Sequence, residues 1–113
     1  MNIFKSIAEN IESKSDVKVM ILADSFHIDA DPEEKIEGFL IQIWSKVDED
    51  NPIGRILRQI VFDLKGNPYR FACSGRHTYF RPVPMDGHHY DGFTPCETIE
   101  LVRFRDYILG NSN

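Results

Sequence analysis

Two apolar runs, each opened by an Asx–Pro pair, constrain this chain more than any other feature: "DPEEKIEGFLIQIWSKV" from Asp31 and "NPIGRILRQIVFDLKG" from Asn51. An Asp or Asn before proline suits a helix N-cap and first turn, and Glu34 follows Asp31 by three residues as in a capping box. Ile36, Phe39, Leu40, Ile43, Trp44 and Val47 then fall within about a third of a helical circumference. Behind Pro52, Ile53, Ile56, Leu57, Ile60, Val61 and Leu64 share a face in the same way. Gly66 stands where a C′ glycine would stop that helix, with Pro68 beyond. Both runs are also dense in Ile, Phe, Trp and Val. Ile56, Ile60, Phe62 and Leu64 alternate as a strand would, around Arg58. The caps and the period together predict two helices; the residue types leave a β-meander as the alternative.

The flanking segments are clearer. Ile3, Phe4, Ile7, Ala8 and Ile11 form a helical stripe opposite Lys5, Glu9 and Glu12. "VKVMILADSFHI", residues 17–28, is β-branched with apolar residues on both faces, which predicts an interior strand. "YRFAC" and "HTYFRPV" are split by "SGR" and predict a hairpin, with Pro82 and Pro84 ending the second strand or confining it to an edge. Residues 84–93 read as loop. Thr94, Pro95 and Glu97 make a capping box for a last helix that stops at Gly110. The expectation is a single domain over 1–113 of α+β class, a small antiparallel sheet packed against three to four helices. The alternative is a β-meander with flanking N- and C-terminal helices.

Composition excludes several functions. The longest uncharged apolar run, "VMILA", is far short of a membrane span, and "MNIFKSIAENIESK" lacks the unbroken apolar stretch of a signal peptide. The two cysteines, Cys73 and Cys96, do not make a disulfide framework, so two reduced thiols and a cytoplasmic location are expected. A net charge of −5 argues against general nucleic-acid binding. Residues 1–65 carry eight basic and thirteen acidic groups, whereas residues 66–113 carry five of each. The second part is basic only through arginine and holds all four tyrosines and three of the four histidines.

Those histidines lie in or beside "RHTYFRPVPMDGHHYDGFTPCE", residues 76–97. His77, Asp86, His88, His89 and Asp91 carry metal-ligating atoms, but no spacing among them matches a zinc or calcium motif. Adjacent histidines on extended chain point apart, and the two Asp-Gly pairs make turns in their own right. No metal or other cofactor is expected. Cys96 falls at the second position of the last helix, where free amides favour an activated thiol, and His88 or His89 would be its base. No G-x-S-x-G elbow or phosphate-cradling glycine motif appears. The chain is therefore more readily a binding protein than an enzyme.

Recognition remains. Arg76, His77, Tyr79 and Arg81, with His88, His89 and Tyr90, have the composition of interface hot spots or of a site for a phosphate or carboxylate. On a strand, His77, Tyr79 and Arg81 would project from one face. Residues 24–50 hold nine carboxylates against Lys35 and Lys46, with Asp48, Glu49 and Asp50 consecutive. Such a surplus would steer a basic partner. The expected function is a small non-catalytic inhibitor or immunity-type partner of a basic protein such as a nuclease toxin. A binder or hydrolase of small anionic compounds is the alternative. A homodimer through a helix bearing Trp44 or an edge strand bearing Tyr79 is a further expectation.

Overall fold

The computed structural model describes residues 2–28, 33–50, 52–83 and 90–111. Helix α1 (Ile3–Glu12) leads into five strands: β1 (Val17–His27), β2 (Lys35–Ser45), β3 (Ile56–Asp63), β4 (Pro68–Ser74) and β5 (His77–Pro82). Helix α2 (Pro95–Asn111) follows. The strands form one antiparallel sheet in the order β1-β2-β3-β4-β5. The fold is α+β, and the β-meander with a helix at each end describes it; three to four helices do not.

The two expected central helices are β2 and β3. Their apolar residues mimic a helical stripe because both faces of the sheet are covered, which removes the alternation that marks a half-exposed strand. One face of the sheet carries the helices. Ile41 and Ile43 of β2 and Ile60 and Phe62 of β3 pack there with Ile3, Ile7 and Ile11 of α1 and Leu101, Phe104 and Ile108 of α2. On the opposite face Leu40, Val61 and Tyr69 form a second cluster with Ile28, joined by Phe26 and Phe80. The sheet curls to make it: Ile28 bridges to Phe80, and the Phe26 and Phe80 rings meet edge-on at 5.7 Å. Glu33 and Glu34, just after the first Asx–Pro pair, and residues 52–55, at and after the second proline, lie outside the regular elements; Asp31, Pro32 and Asn51 themselves lie outside the described residues.

Gly66 stops no helix. It sits in the β3–β4 turn at φ 81°, where Asp63 accepts from the Lys65 and Asn67 amides at 2.9 Å each. A glycine after an apolar run serves a left-handed hairpin position as well as a helix C′. Strand β1 is also not interior. It ends the sheet, paired with β2 along its length, and is apolar on both faces because α1 covers one and the curl covers the other.

Three local expectations hold. Helix α1 forms over the apolar stripe and buries Ile3, Ile7 and Ile11; Asn2, which the sequence reading did not single out, caps it by accepting from the Phe4 amide at 3.0 Å. Gly75 and Arg76 turn the β4–β5 hairpin, with Ser74 opposite His77. The Thr94–Glu97 box closes reciprocally, the Thr94 amide donating to Glu97 at 2.8 Å and the Glu97 amide to Thr94 at 3.2 Å. No helix among the described residues is long and apolar enough to cross a membrane.

Candidate functional site

The connection from β2 to β3 is pinched at its base. Ser45 donates its amide to the Arg55 carbonyl at 2.9 Å, and its hydroxyl accepts the Arg55 amide at 2.9 Å. The chain between them is pushed outward. Asp48, Glu49 and Asp50 are all exposed there, between Val47 at 61% exposure and Ile53 at 78%, the largest value among the exposed large apolar residues described. Asp16 adds a carboxylate nearby, bonded to Lys46 at 3.1 Å. Both partners of that pair are solvated, so it contributes little stability.

The acidic segment is not one patch. Asp24, Glu33, Glu34 and Glu37 are exposed at the β1–β2 turn, at the far end of β2 from Asp48–Asp50. An eleven-residue strand separates the groups by roughly 30 Å, several Debye lengths at physiological salt. An antiparallel hairpin sends the two ends of its second strand to opposite poles, so the sequence cluster becomes two independent fields.

A second polar feature lies between the sheet and α2. Glu97 is 0% exposed and takes a two-pronged bond from Arg58 of β3, whose side chain is 23% exposed. Nε donates to Oε1 at 2.7 Å, and Nη2 to Oε2. Burial pushes the Glu97 carboxyl up, but the Arg58 bonds and the Thr94 contacts outweigh it and hold the group below its ordinary range. The Arg58 guanidinium is correspondingly raised, chiefly by its bond to Glu97. One carboxylate therefore both caps α2 and ties its first turn to β3. Glu100 extends the polar seam, accepting from Asn10 at 2.9 Å and facing Arg103 at 3.4 Å.

The β4–β5 hairpin extends past the helices. His77, Tyr79 and Arg81 alternate along β5 opposite Ser74, Ala72 and Arg70, on the side of the sheet that carries the helices. Arg76, His77 and Arg81 are exposed and Tyr79 is half-buried. Neither Arg76 nor Arg81 has an acidic partner among the described residues. Arg70 donates to the Asp91 carbonyl, a neutral acceptor that leaves its charge uncompensated by that bond. Tyr90 is half-buried; burial raises its phenol above the ordinary range against the opposing charge of Arg105. Between β3 and β4 opens a groove of about 540 Å³ bordered by Leu57, Arg58, Arg70, Phe71, Asp91 and Phe93.

Asp86, His88 and His89 lie outside the described residues, and with them that part of the expected metal, base and binding sets. Among the described residues no three His, Cys, Asp or Glu side chains gather as a metal site would require. Cys73 is an exposed thiol on β4, and Cys96 is a half-buried thiol in the first turn of α2. Trp44 is on β2, not a helix, and donates its indole N–H to Gln42 at 3.1 Å.

Sequence reasoning missed Val47 and Ile53 as exposed, because the helical reading placed both on buried stripes. Asn51-Pro52 and Gly54 were the available sign of a loop. It also missed the Arg58–Glu97 pair, for which separation by 39 residues left no local signal. The chain matches no family model, no curated protein and no solved structure.

Proposed function

We propose that this chain is a small non-catalytic cytoplasmic binding protein, an inhibitor or immunity-type partner of a basic protein such as a nuclease toxin. One observation carries the reading. Asp48, Glu49 and Asp50 are exposed on a pinched loop directly between two strongly exposed apolar side chains, Val47 and Ile53. Charge at such a place steers encounter, and exposed aliphatic residues beside it supply surface to bury on contact. A solvated linker would have the acids without the anchors. The alternative of a pocket for a phosphorylated or carboxylated compound is less well supported. Arg76, His77, Tyr79 and Arg81 stand on an open strand face, whereas small-ligand sites enclose most of their ligand.

The test is capture of the partner from the native host by the untagged chain, followed by association kinetics across salt concentrations. Reversing Asp48, Glu49 and Asp50 to lysine is expected to slow association about tenfold or more at low salt. Ile53→Ser is expected to speed dissociation instead. Association that ignores both salt and the triple reversal would refute the reading.

A further inference from the structure

The ladder between β3 and β4 is short. Only Ile60, Val61 and Phe62 of β3 pair with β4, opposite Arg70, Tyr69 and Pro68. Beyond them the strands diverge, because the β4–β5 hairpin is drawn over the opposite face of the sheet. There Phe80 meets Phe26 at 5.7 Å and Phe71 at 5.8 Å, while β3 continues along β2 as far as Ile56 opposite Trp44. Residues 56–59 of β3 thus have a strand on one side and none on the other among the described residues. Residues 71–74 of β4 are in the same position. The groove of about 540 Å³ fills the space between.

An open strand edge is specific about what it accepts. Its free N–H and C=O groups repeat at the spacing of an extended chain, and only another strand satisfies them in series. The groove's side chains add a second requirement. Towards the helices it presents Arg58, already neutralised by Glu97, and Arg70, bonded to a carbonyl. On the other side it presents Leu57 and Phe71, both exposed. Residues 53–83 contain six basic side chains and a single acid, Asp63, which pairs with Gly38 at the far end of β3; the one acid that borders the groove itself is Asp91, whose carbonyl Arg70 bonds.

We propose that this wedge takes up an extended segment of a partner protein that alternates acidic and apolar residues, its carboxylate meeting Arg70 and its apolar side chains covering Leu57 and Phe71. The open stretch accommodates about four residues, roughly 13 Å of strand. This site is separate from the acidic loop and stands whether or not that loop binds a basic partner.

The probe is a short synthetic peptide alternating valine and glutamate, titrated into the isotopically labelled chain and followed by backbone amide NMR. Shifts are expected at residues 56–59 and 71–74, with Arg70→Glu weakening the affinity about tenfold. The Asp48, Glu49 and Asp50 reversal is expected to leave the titration unchanged. A peptide methylated on alternate backbone nitrogens is expected not to bind. Equal binding by the methylated peptide or by a valine–lysine peptide would overturn the proposal. So would shifts confined to other surfaces, or self-association of the chain that protects the wedge without peptide. If Arg70→Glu proves unfolded by circular dichroism, Arg55→Glu, at the exposed residue just before the open stretch, takes its place with a smaller loss expected.

Discussion

Removing the Glu97 carboxylate should cost more than any surface charge, and the structure indicates how much. In Glu97→Ala the helix loses the side chain that accepts the Thr94 amide at 2.8 Å, worth about 1 kcal/mol for a cap. Arg58 loses both prongs of its ion pair with Glu97 and keeps a charge that is 23% exposed. Breaking a buried pair costs about 3–5 kcal/mol, and partial solvent access places this one near the lower end. The expected total is about 3–4 kcal/mol, a drop in melting temperature of about 4 °C for each of them. Arg58→Met should cost about 3 kcal/mol, by leaving a fully enclosed carboxylate without its counter-charge. The double variant removes both charges and should cost only about 4 kcal/mol, so the coupling energy is about 2 kcal/mol or more. Urea unfolding of the four proteins at neutral pH measures this directly. Additivity within about 0.5 kcal/mol would show that the pair is not coupled, and the account of how α2 is held to β3 would fail.

The same carboxylate predicts a pH effect. Its folded pKa lies below the ordinary value, so as pH falls past about 4.3 the unfolded state takes up the proton first. Stability contributed by Glu97 is therefore complete above that pH and lost as pH falls through the folded value; Glu97→Gln should flatten that portion of a urea-midpoint series. Gly38→Ala should destabilise by about 2–3 kcal/mol, because a Cβ there would stand 2.3 Å from the Phe62 carbonyl oxygen, and calorimetry would show it. Gly66→Ala should cost about 1–2 kcal/mol for a left-handed φ of 81°, also read by calorimetry.

What was legible in the chain was what depends on neighbours in sequence. Helix α1 declares itself because one face meets the sheet and the other meets water. The β4–β5 hairpin and the Thr94–Glu97 box are stretches a few residues long whose chemistry closes on itself. Strands β2 and β3 were illegible for the opposite reason. Ile41 and Ile43 serve one core while Leu40 serves another, so burial on both sides erased the two-residue period. The Asx–Pro pairs, which initiate helices and loops alike, then tipped the reading the wrong way.

The candidate site inherits that error and adds a non-local one. With β3 read as a helix, Ile53 and Ile56 belong to a buried stripe and no open edge exists. With β3 read as a strand, its pairing with β4 still has to stop at Ile60, and nothing within residues 56–74 dictates that. The stop comes from Phe26 and Phe80, which hold the hairpin over the far face, and from Glu97, which holds Arg58 and the first turn of α2 at the near one. The wedge is thus a product of two cores that pull adjacent strands in different directions. Phe26→Ala should relax one of those pulls, letting β4 follow β3 further and closing the groove. Its signature would be new hydrogen-exchange protection at residues 56–59 together with lower global stability of about 3 kcal/mol. Unchanged exchange at those amides would mean that the divergence is set by the strands themselves and not by the aromatic contact.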